Sequence, residues 1–165
     1  MTTRWIALAT VPIALAVVLA LLLSRASPST GALCGSITDS EACLSVGTSR
    51  IAVELATTSA ARAQGLSGRD ALPPQRGMLF VFPEDGRYAF WMKDMRFAID
   101  IVWIDREGRV VRVDAGVQPA TFPATFSPPT PVRYVLELAA GQAAALGLAP
   151  GTLVSVPGSL PRDAR

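Results

Sequence analysis

The sequence predicts a mainly β protein: a compact antiparallel β barrel or sandwich with two short helices, preceded by one N-terminal hydrophobic helix. Three observations favour this fold class. Short runs rich in β-branched and aromatic residues recur from residue 50 onward, and turn residues separate them. The two segments with helical character are short and do not alternate regularly with the strands. The apolar run near the N-terminus has no counterpart elsewhere in the chain.

The N-terminal run, residues 5–23, carries no charge and is long enough to cross the hydrocarbon core of a bilayer. Arg4 precedes it, which predicts that the positive end stays in the cytoplasm and the rest lies outside. Residues 1–26 are therefore predicted to be a cleaved signal peptide or a retained anchor. The length of the run favours the anchor. We expect a membrane partner through residues 5–23, and a periplasmic or secreted product if the leader is cleaved.

Residues 27–45 are predicted to be a linker, because Ser, Pro, Gly and Thr dominate their first part. Cys34 and Cys43 are the two cysteines of the chain. Outside the cytoplasm such a pair is expected to form a disulfide. The β domain is predicted at 46–157, followed by a polar tail at 158–165.

Within the domain, the first predicted strand is 50–55, where Ile51, Val53 and Leu55 alternate with polar residues. A short helix follows at 59–64, with Thr57 or Thr58 as its N-cap. The remaining predicted elements, in chain order, are strands at 78–82, 88–92, 97–104 and 109–113, a loop at 117–131, a strand at 133–138, a helix at 141–146 and a strand at 152–156.

Composition excludes several classes of function. The leader holds two of the 15 basic residues, so the remainder balances the 13 acidic residues and no nucleic-acid partner is expected. The chain has no histidine, which removes Ser-His-Asp catalysis and every His-ligated metal site. We expect no metal and no cofactor.

Several consecutive segments resemble one family, the bacterial and archaeal domain of unknown function 192. They are ARAQGLSGR (61–69), GMLFVF (77–82), FWMKDM (90–95), IDIVWID (99–105) and RYVLEL (133–138). The resemblance implies a small β-rich domain, often exported behind a signal or anchor. It implies no activity.

Lys93 and Asp100 are the first candidates for a functional site. Lys93 is the lone lysine of the chain, and Asp100 interrupts an apolar strand. A carboxylate among apolar neighbours needs a partner. We expect Asp100 to be buried and paired with a cation, either Lys93 or an arginine of the segment 61–69. The structural alternative is an ion pair that stabilises the sheet, and the functional one is a carboxylate lining a pocket.

Further candidates form a polar set that could line the mouth of a pocket and bind a carboxylate or phosphate. They are Arg62, Arg69, Arg133 and Glu137. Trp91 could stack on a sugar ring, although aromatic side chains at strand spacing are more often core. The structural alternative for the charged residues is a solvated surface network.

The sequence therefore predicts an exported or membrane-tethered domain that binds a small polar or anionic ligand of the cell envelope, such as a saccharide. Two other classes stay open. One is an acid–base enzyme using Lys93 with Asp94 or Asp100, and the other is a structural or partner-binding module. No catalytic residue is identified by a motif.

Overall fold

The computed structural model describes residues 34, 40–158 and 160. The hydrophobic run 5–23, on which the predicted membrane anchor and location depend, lies outside the described residues. Among the residues that are described, no helix is both long and apolar enough to span a bilayer.

Strands dominate the described part of the chain. They are β1 (Glu41–Val46), β2 (Ser49–Ala56), β3 (Arg76–Gly86), β4 (Phe90–Trp91), β5 (Ile99–Ile104), β6 (Val110–Val117), β7 (Thr125–Phe126), β8 (Val132–Ala139) and β9 (Val154–Ser155). Two short α-helices accompany them, α1 (Ser59–Gln64) and α2 (Gln142–Ala145), with a 3-10 helix at Pro119–Thr121. The prediction of a mainly β fold with two short helices is confirmed. The predicted α1 has the observed bounds, and Thr58 caps it by accepting a hydrogen bond from the Ala61 N–H.

Seven strands form one curled sheet in the order β6-β5-β8-β3-β2-β1-β9, while β4 and β7 form a separate two-stranded ribbon. An antiparallel bridge between Arg109 and Leu153 joins the start of β6 to the start of β9. Opposite ends of the sheet therefore meet, which favours the predicted barrel over a sandwich.

One pair departs from the predicted antiparallel arrangement, because β2 and β3 run parallel. Their connection contains α1 and a long loop, residues 57–75, and this length is sufficient for a crossover between parallel strands. The helix at 59–64 was predicted, but the direction of the strands on either side of it is a tertiary property that the pattern does not encode.

The predicted linker, 27–45, overlaps β1, and this part of the prediction is wrong. Ala42, Leu44 and Val46 are buried at every second position, as expected for a strand with one face in the core. Cys43 lies on the opposite side of this strand and is disulfide-bonded to Cys34, with the sulfur atoms 1.96 Å apart. The disulfide thus attaches Cys34 to the sheet itself.

The sheet has two buried faces. The first face carries Leu44, Val53, Leu79 and Leu136, and α2 contributes Ala143 to the same cluster. The second face has an aromatic core, formed mainly by Phe80, Phe82, Trp103 and Val135 and covered by α1, β4 and the loop between α1 and β3. Because side chains alternate along a strand, neighbouring residues of β5 and β8 belong to different faces. This alternation decides which of the candidate residues can meet.

Candidate functional site

A cavity of about 340 Å³ lies between the second face of the sheet, α1 and β4. Its volume is within the range of small-molecule sites, which are mostly apolar with a few polar groups. Five aromatic side chains form much of its wall, and four polar residues and five small or apolar ones complete it. The residues lining it are Arg62, Ala63, Gln64, Gly65, Leu66, Ser67, Phe80, Phe82, Tyr88, Ala89, Phe90, Trp91, Met95 and Glu137.

Glu137 is the buried polar group of this cavity. It lies on β8, between Leu136 and Leu138, which face the other core, and only 5% of its surface is exposed. Its Oε2 atom has no hydrogen-bond partner among the described residues. Buried polar atoms are nearly always satisfied, so an exception next to a cavity indicates a group that a bound molecule or water would complete.

Burial raises the pKa of Glu137 to about 8, and the positive charge of Arg69 opposes this rise. The carboxyl group is therefore mainly protonated at neutral pH. In that form it offers one O–H donor and an acceptor oxygen. A neutral ligand can use both without an ionic partner.

Arg62 forms the charged part of the wall. Its Nη1 donates hydrogen bonds to the backbone carbonyls of Thr57 and Val81, the latter at 3.1 Å. Its guanidinium carbon lies 5.3 Å from the centre of the Phe82 ring. This position fits a cation–π contact, and it fixes the planar group beside the aromatic wall.

Stacked aromatic rings shape the floor and side of the cavity. Tyr88 is parallel to Phe82 with ring centres 3.5 Å apart, and Phe90 meets Phe80 edge-on at 4.8 Å. The Tyr88 hydroxyl donates to the Glu84 carbonyl at 2.6 Å, which holds its ring in place. Rings fixed in this way present preformed apolar surfaces to a ligand.

The rim carries Trp91 and Lys93. Trp91 is 53% exposed although it also lines the cavity, and the Lys93 ammonium lies 5.9 Å from the centre of its ring. The Lys93 carbonyl accepts a hydrogen bond of 2.9 Å from the Ser67 hydroxyl, which connects the segment after β4 to the loop after α1. Lys93 is thus an exposed rim residue.

Arg69 and Glu54 form an ion pair next to Glu137. Two parallel hydrogen bonds join them, at 2.6 and 2.8 Å. These bonds lower the pKa of Glu54, and the hydrogen bond to Glu54 raises the pKa of Arg69. Glu54, Met78 and Glu137 occupy successive positions of one row across β2, β3 and β8. Arg69 therefore satisfies the carboxylate of Glu54 and leaves the carboxyl group of Glu137 available to a ligand in the cavity.

Asp100 is fully buried, as predicted, but the prediction of a cationic partner is wrong. Its Oδ1 accepts the Gly116 N–H at 2.8 Å and its Oδ2 accepts the Ala143 N–H at 2.9 Å. Asp100 lies opposite Leu138, so it faces the first core, away from the cavity. Two backbone N–H groups therefore satisfy the carboxylate in place of the predicted Lys93 or arginine.

Arg133 is also separate from the cavity. Its Nε donates to Asp85 at 2.7 Å, and it lines a second cavity of about 380 Å³ with Arg106, Tyr134 and the C-terminal segment. The structure therefore brings Arg62, Glu137 and Trp91 together, with Arg69 and Lys93 close by. It separates Asp100 and Arg133 from them, and the proposed acid–base pair of Lys93 and Asp100 is not assembled.

The family model described as uncharacterized ACR, domain of unknown function 192, matches residues 42–156. The chain belongs to this family. Two solved structures share the fold of this DUF192 domain. One is a Sinorhizobium meliloti 1021 protein described as a candidate transcription regulator, with 32% identity, coverage of 73% of this chain and 97% of that one, and a TM-score of 0.64.

The other is a protein of unknown function from Novosphingobium aromaticivorans DSM 12444. Its identity is 29%, it covers 74% of this chain and 99% of its own, and its TM-score is 0.65. The comparison with curated proteins gave no match. The family and fold of the DUF192 domain are thus shown.

Sequence reasoning missed part of this site. Phe82 and Gln64 line the cavity, but Phe82 reads as an ordinary core residue and Gln64 as the last residue of a helix. Tyr88 and Phe90 also line the cavity, and their strand spacing, like that of Trp91, is compatible with stacking on a sugar ring but more typical of core residues. The available signal was their density, since four aromatic residues fall within residues 82–91 of the DUF192 domain. No group of three or more carboxylates or cysteines within the described range is arranged to hold a metal ion.

Proposed function

We propose that the DUF192 domain binds a small neutral, hydroxylated ligand of the saccharide class in the cavity beside Glu137. One observation carries the proposal. A buried carboxyl oxygen without a partner among the described residues lines a preformed cavity whose wall includes five aromatic side chains. A site of this kind combines an apolar surface with a few orienting polar groups.

Hydroxyl groups match the chemistry of Glu137. A hydroxyl both donates and accepts, and so does a protonated carboxyl group. The pKa of about 8 keeps Glu137 in that form at neutral pH. The weakly polar C–H face of a sugar ring can pack against Phe82 or Trp91, while Gln64 and Ser67 at the cavity edge offer further hydrogen bonds.

Charged ligands fit this cavity less well. A cation would approach the guanidinium of Arg62 and the nearby charge of Arg69. Arg62 Nη1 is already engaged with two backbone carbonyls, which limits the hydrogen bonds that this guanidinium can offer an anion. Together with the protonated carboxyl group of Glu137, this limit favours a neutral ligand over the anionic one that the sequence left open.

The location of the domain remains a proposal of its own. If residues 5–23 hold it outside the cytoplasm, cell-envelope glycans are the saccharides within reach. The same residues would then restrict the domain to ligands near the membrane surface.

Saturation-transfer NMR on the purified full-length protein tests the proposal, with N-acetylglucosamine, glucose and galactose as probes. We expect ring protons of at least one sugar to receive saturation, and the signal to disappear in Glu137→Ala. Glu41→Ala is the matched control, because Glu41 lies in the same cross-strand row but outside the cavity and pairs with Arg76. Absence of transfer to all three sugars, or equal transfer in Glu137→Ala, would contradict saccharide binding at this site.

A further inference from the structure

Trp91 and Phe122 form an exposed aromatic pair beside the cavity. Their ring centres are 5.9 Å apart, and the rings meet at 65°. Trp91 is 53% exposed and Phe122 is 45% exposed. The described residues contain three exposed large apolar side chains, and two of them are in this contact. Exposed apolar side chains that contact one another are a feature of binding surfaces, whereas single exposed ones need no explanation.

The backbone supports this arrangement. Trp91 lies in β4 opposite Thr125 of β7, so the two-stranded ribbon fixes the position of its ring. Phe122 follows the 3-10 helix and donates its N–H to the Pro119 carbonyl at 3.2 Å. The Thr121 and Ala124 N–H groups are likewise bonded within this turn. Both rings are therefore carried by hydrogen-bonded backbone: Trp91 lies in the ribbon of β4 and β7, and Phe122 lies in the turn that precedes β7.

The pair is continuous with the cavity because Trp91 belongs to both. Trp91 lines the same cavity as Glu137, and its ring also contacts Phe122, which is not among the residues that line the cavity. Lys93 extends over the same ring and supplies up to three N–H donors at the rim. An apolar surface with an ammonium at its edge therefore continues from the cavity mouth to Phe122.

We propose that the ligand contains at least two linked sugar rings, the first in the cavity and the second on the surface formed by Trp91 and Phe122. This inference rests on the proposed function and specifies its ligand as a disaccharide or longer glycan. The first ring would bind to Glu137. The second would pack its C–H face on the aromatic pair and direct hydroxyl groups to Lys93.

A protein partner is the alternative occupant of the aromatic pair, and the geometry favours the glycan. Two rings flanked by a lysine offer a narrow surface, whereas stable protein interfaces bury about 800 Å² on each partner. A saccharide that already enters the cavity needs only a short extension to reach this surface.

Isothermal titration calorimetry on the full-length protein tests the inference with two matched pairs: N-acetylglucosamine with its β-1,4 dimer, and glucose with maltose. For at least one pair we expect the disaccharide to bind about tenfold more tightly than the monosaccharide. Phe122→Ala should remove this difference and leave the affinity for the monosaccharide unchanged. Leu153→Ala is the control, because Leu153 is the third exposed large apolar residue of the described chain and lies away from the pair.

The possible outcomes separate the two proposals. A disaccharide advantage that depends on Phe122 supports the inference. Equal affinities for monosaccharide and disaccharide, or an advantage that survives Phe122→Ala, overturn it and leave monosaccharide binding in place. Lack of binding by every probe overturns the proposed function as well. A wild-type dimer that Phe122→Ala converts to monomer in sedimentation experiments assigns the aromatic pair to self-association and also overturns the inference.

Discussion

Asp100 and Glu137 lie on adjacent antiparallel strands, one residue out of register, and their carboxyl groups face opposite sides of the sheet. Asp100 is paired with Leu138, and Glu137 is paired with Ile101. Both carboxyls are buried, yet one accepts two backbone N–H groups and the other lines a cavity. A buried carboxyl group therefore stabilises the fold on one face of the sheet, and another is available for binding on the opposite face.

Asp100→Ala should destabilise the fold by about 3–5 kcal/mol, because the Gly116 and Ala143 N–H groups would lose their acceptor inside the protein. Urea unfolding of the full-length protein measures the change. Glu107→Ala, at an exposed turn position, serves as the control. An unchanged urea midpoint for Asp100→Ala would show that the two N–H groups find other acceptors.

Glu137 should make the protein less stable as the pH rises from about 5 to 9. Its folded pKa of about 8 is above the ordinary value of 4.5, so the folded state binds the proton more tightly. The resulting stability is fully present below pH 4.5 and is lost as the pH passes through 8. The loss should approach about 5 kcal/mol.

Glu137→Gln isolates this effect, since glutamine has a similar shape and no charge. We expect wild type and Glu137→Gln to have similar melting temperatures at pH 5, and the variant to melt at the higher temperature at pH 9. Thermal unfolding at both pH values, with Glu41→Gln as the control carboxylate, gives the comparison. Parallel curves for wild type and Glu137→Gln would mean that Glu137 is ionised throughout.

Arg69→Ala should raise the pKa of Glu137, because the arginine charge lowers it in the wild type. The titration midpoint of the Glu137 carboxyl carbon in NMR measures the shift. Arg76→Ala is the matched control, since Arg76 also pairs with a glutamate, Glu41, in the same row. A Glu137 midpoint that moves equally in both variants, or not at all in Arg69→Ala, would show that the charge of Arg69 does not set the pKa of Glu137.

Gly77→Ala should destabilise the fold by about 1–3 kcal/mol through overpacking. An added Cβ would lie 2.8 Å from the Glu137 carbonyl oxygen and 2.9 Å from Leu138 Cδ2. The backbone that presents Glu137 would have to move. Gly158→Ala is the control, because nothing lies within 4 Å of a Cβ there. Equal unfolding midpoints for the two variants would show that β3 and β8 separate easily.

Lys93→Arg is expected to leave stability within about 0.5 kcal/mol of wild type, since Lys93 is an exposed rim residue. Its effect on disaccharide affinity should be larger, because a planar guanidinium over Trp91 covers ring surface that a compact ammonium leaves open. Calorimetry with the probes described above measures that affinity. Full disaccharide affinity in Lys93→Arg would show that the lysine side chain is not required for binding the second sugar ring.

The sequence predicted α1 and most of the strands because their signals are local, but it missed β1 and β7. Alternation at Ile51 and Val53, a cap at Thr58 and a glycine after the helix each act within a few residues. The parallel pairing of β2 with β3 depends on a crossover, and no local pattern reports it.

The candidate site was predicted in part for the same reason. Burial of Asp100 follows from its apolar neighbours, but its backbone partners come from distant positions and have no side-chain signature. Glu137 was a candidate because it lies within a matching segment. The register of β5 and β8, which places Glu137 on the face opposite Asp100, is a long-range property that the sequence pattern does not report.

The contact that joins the ends of the sheet has a consequence for association between molecules. The Val154 N–H donates to the Gly108 carbonyl at 2.8 Å, and a Cβ at Gly108 would lie 2.5 Å from the Val154 carbonyl oxygen. This close approach occupies backbone groups at both outermost strands, which would otherwise be open to another chain. Gly108 thus permits a close approach that covers the start of both outermost strands, and a side chain at this position would force them apart and open these ends to another chain.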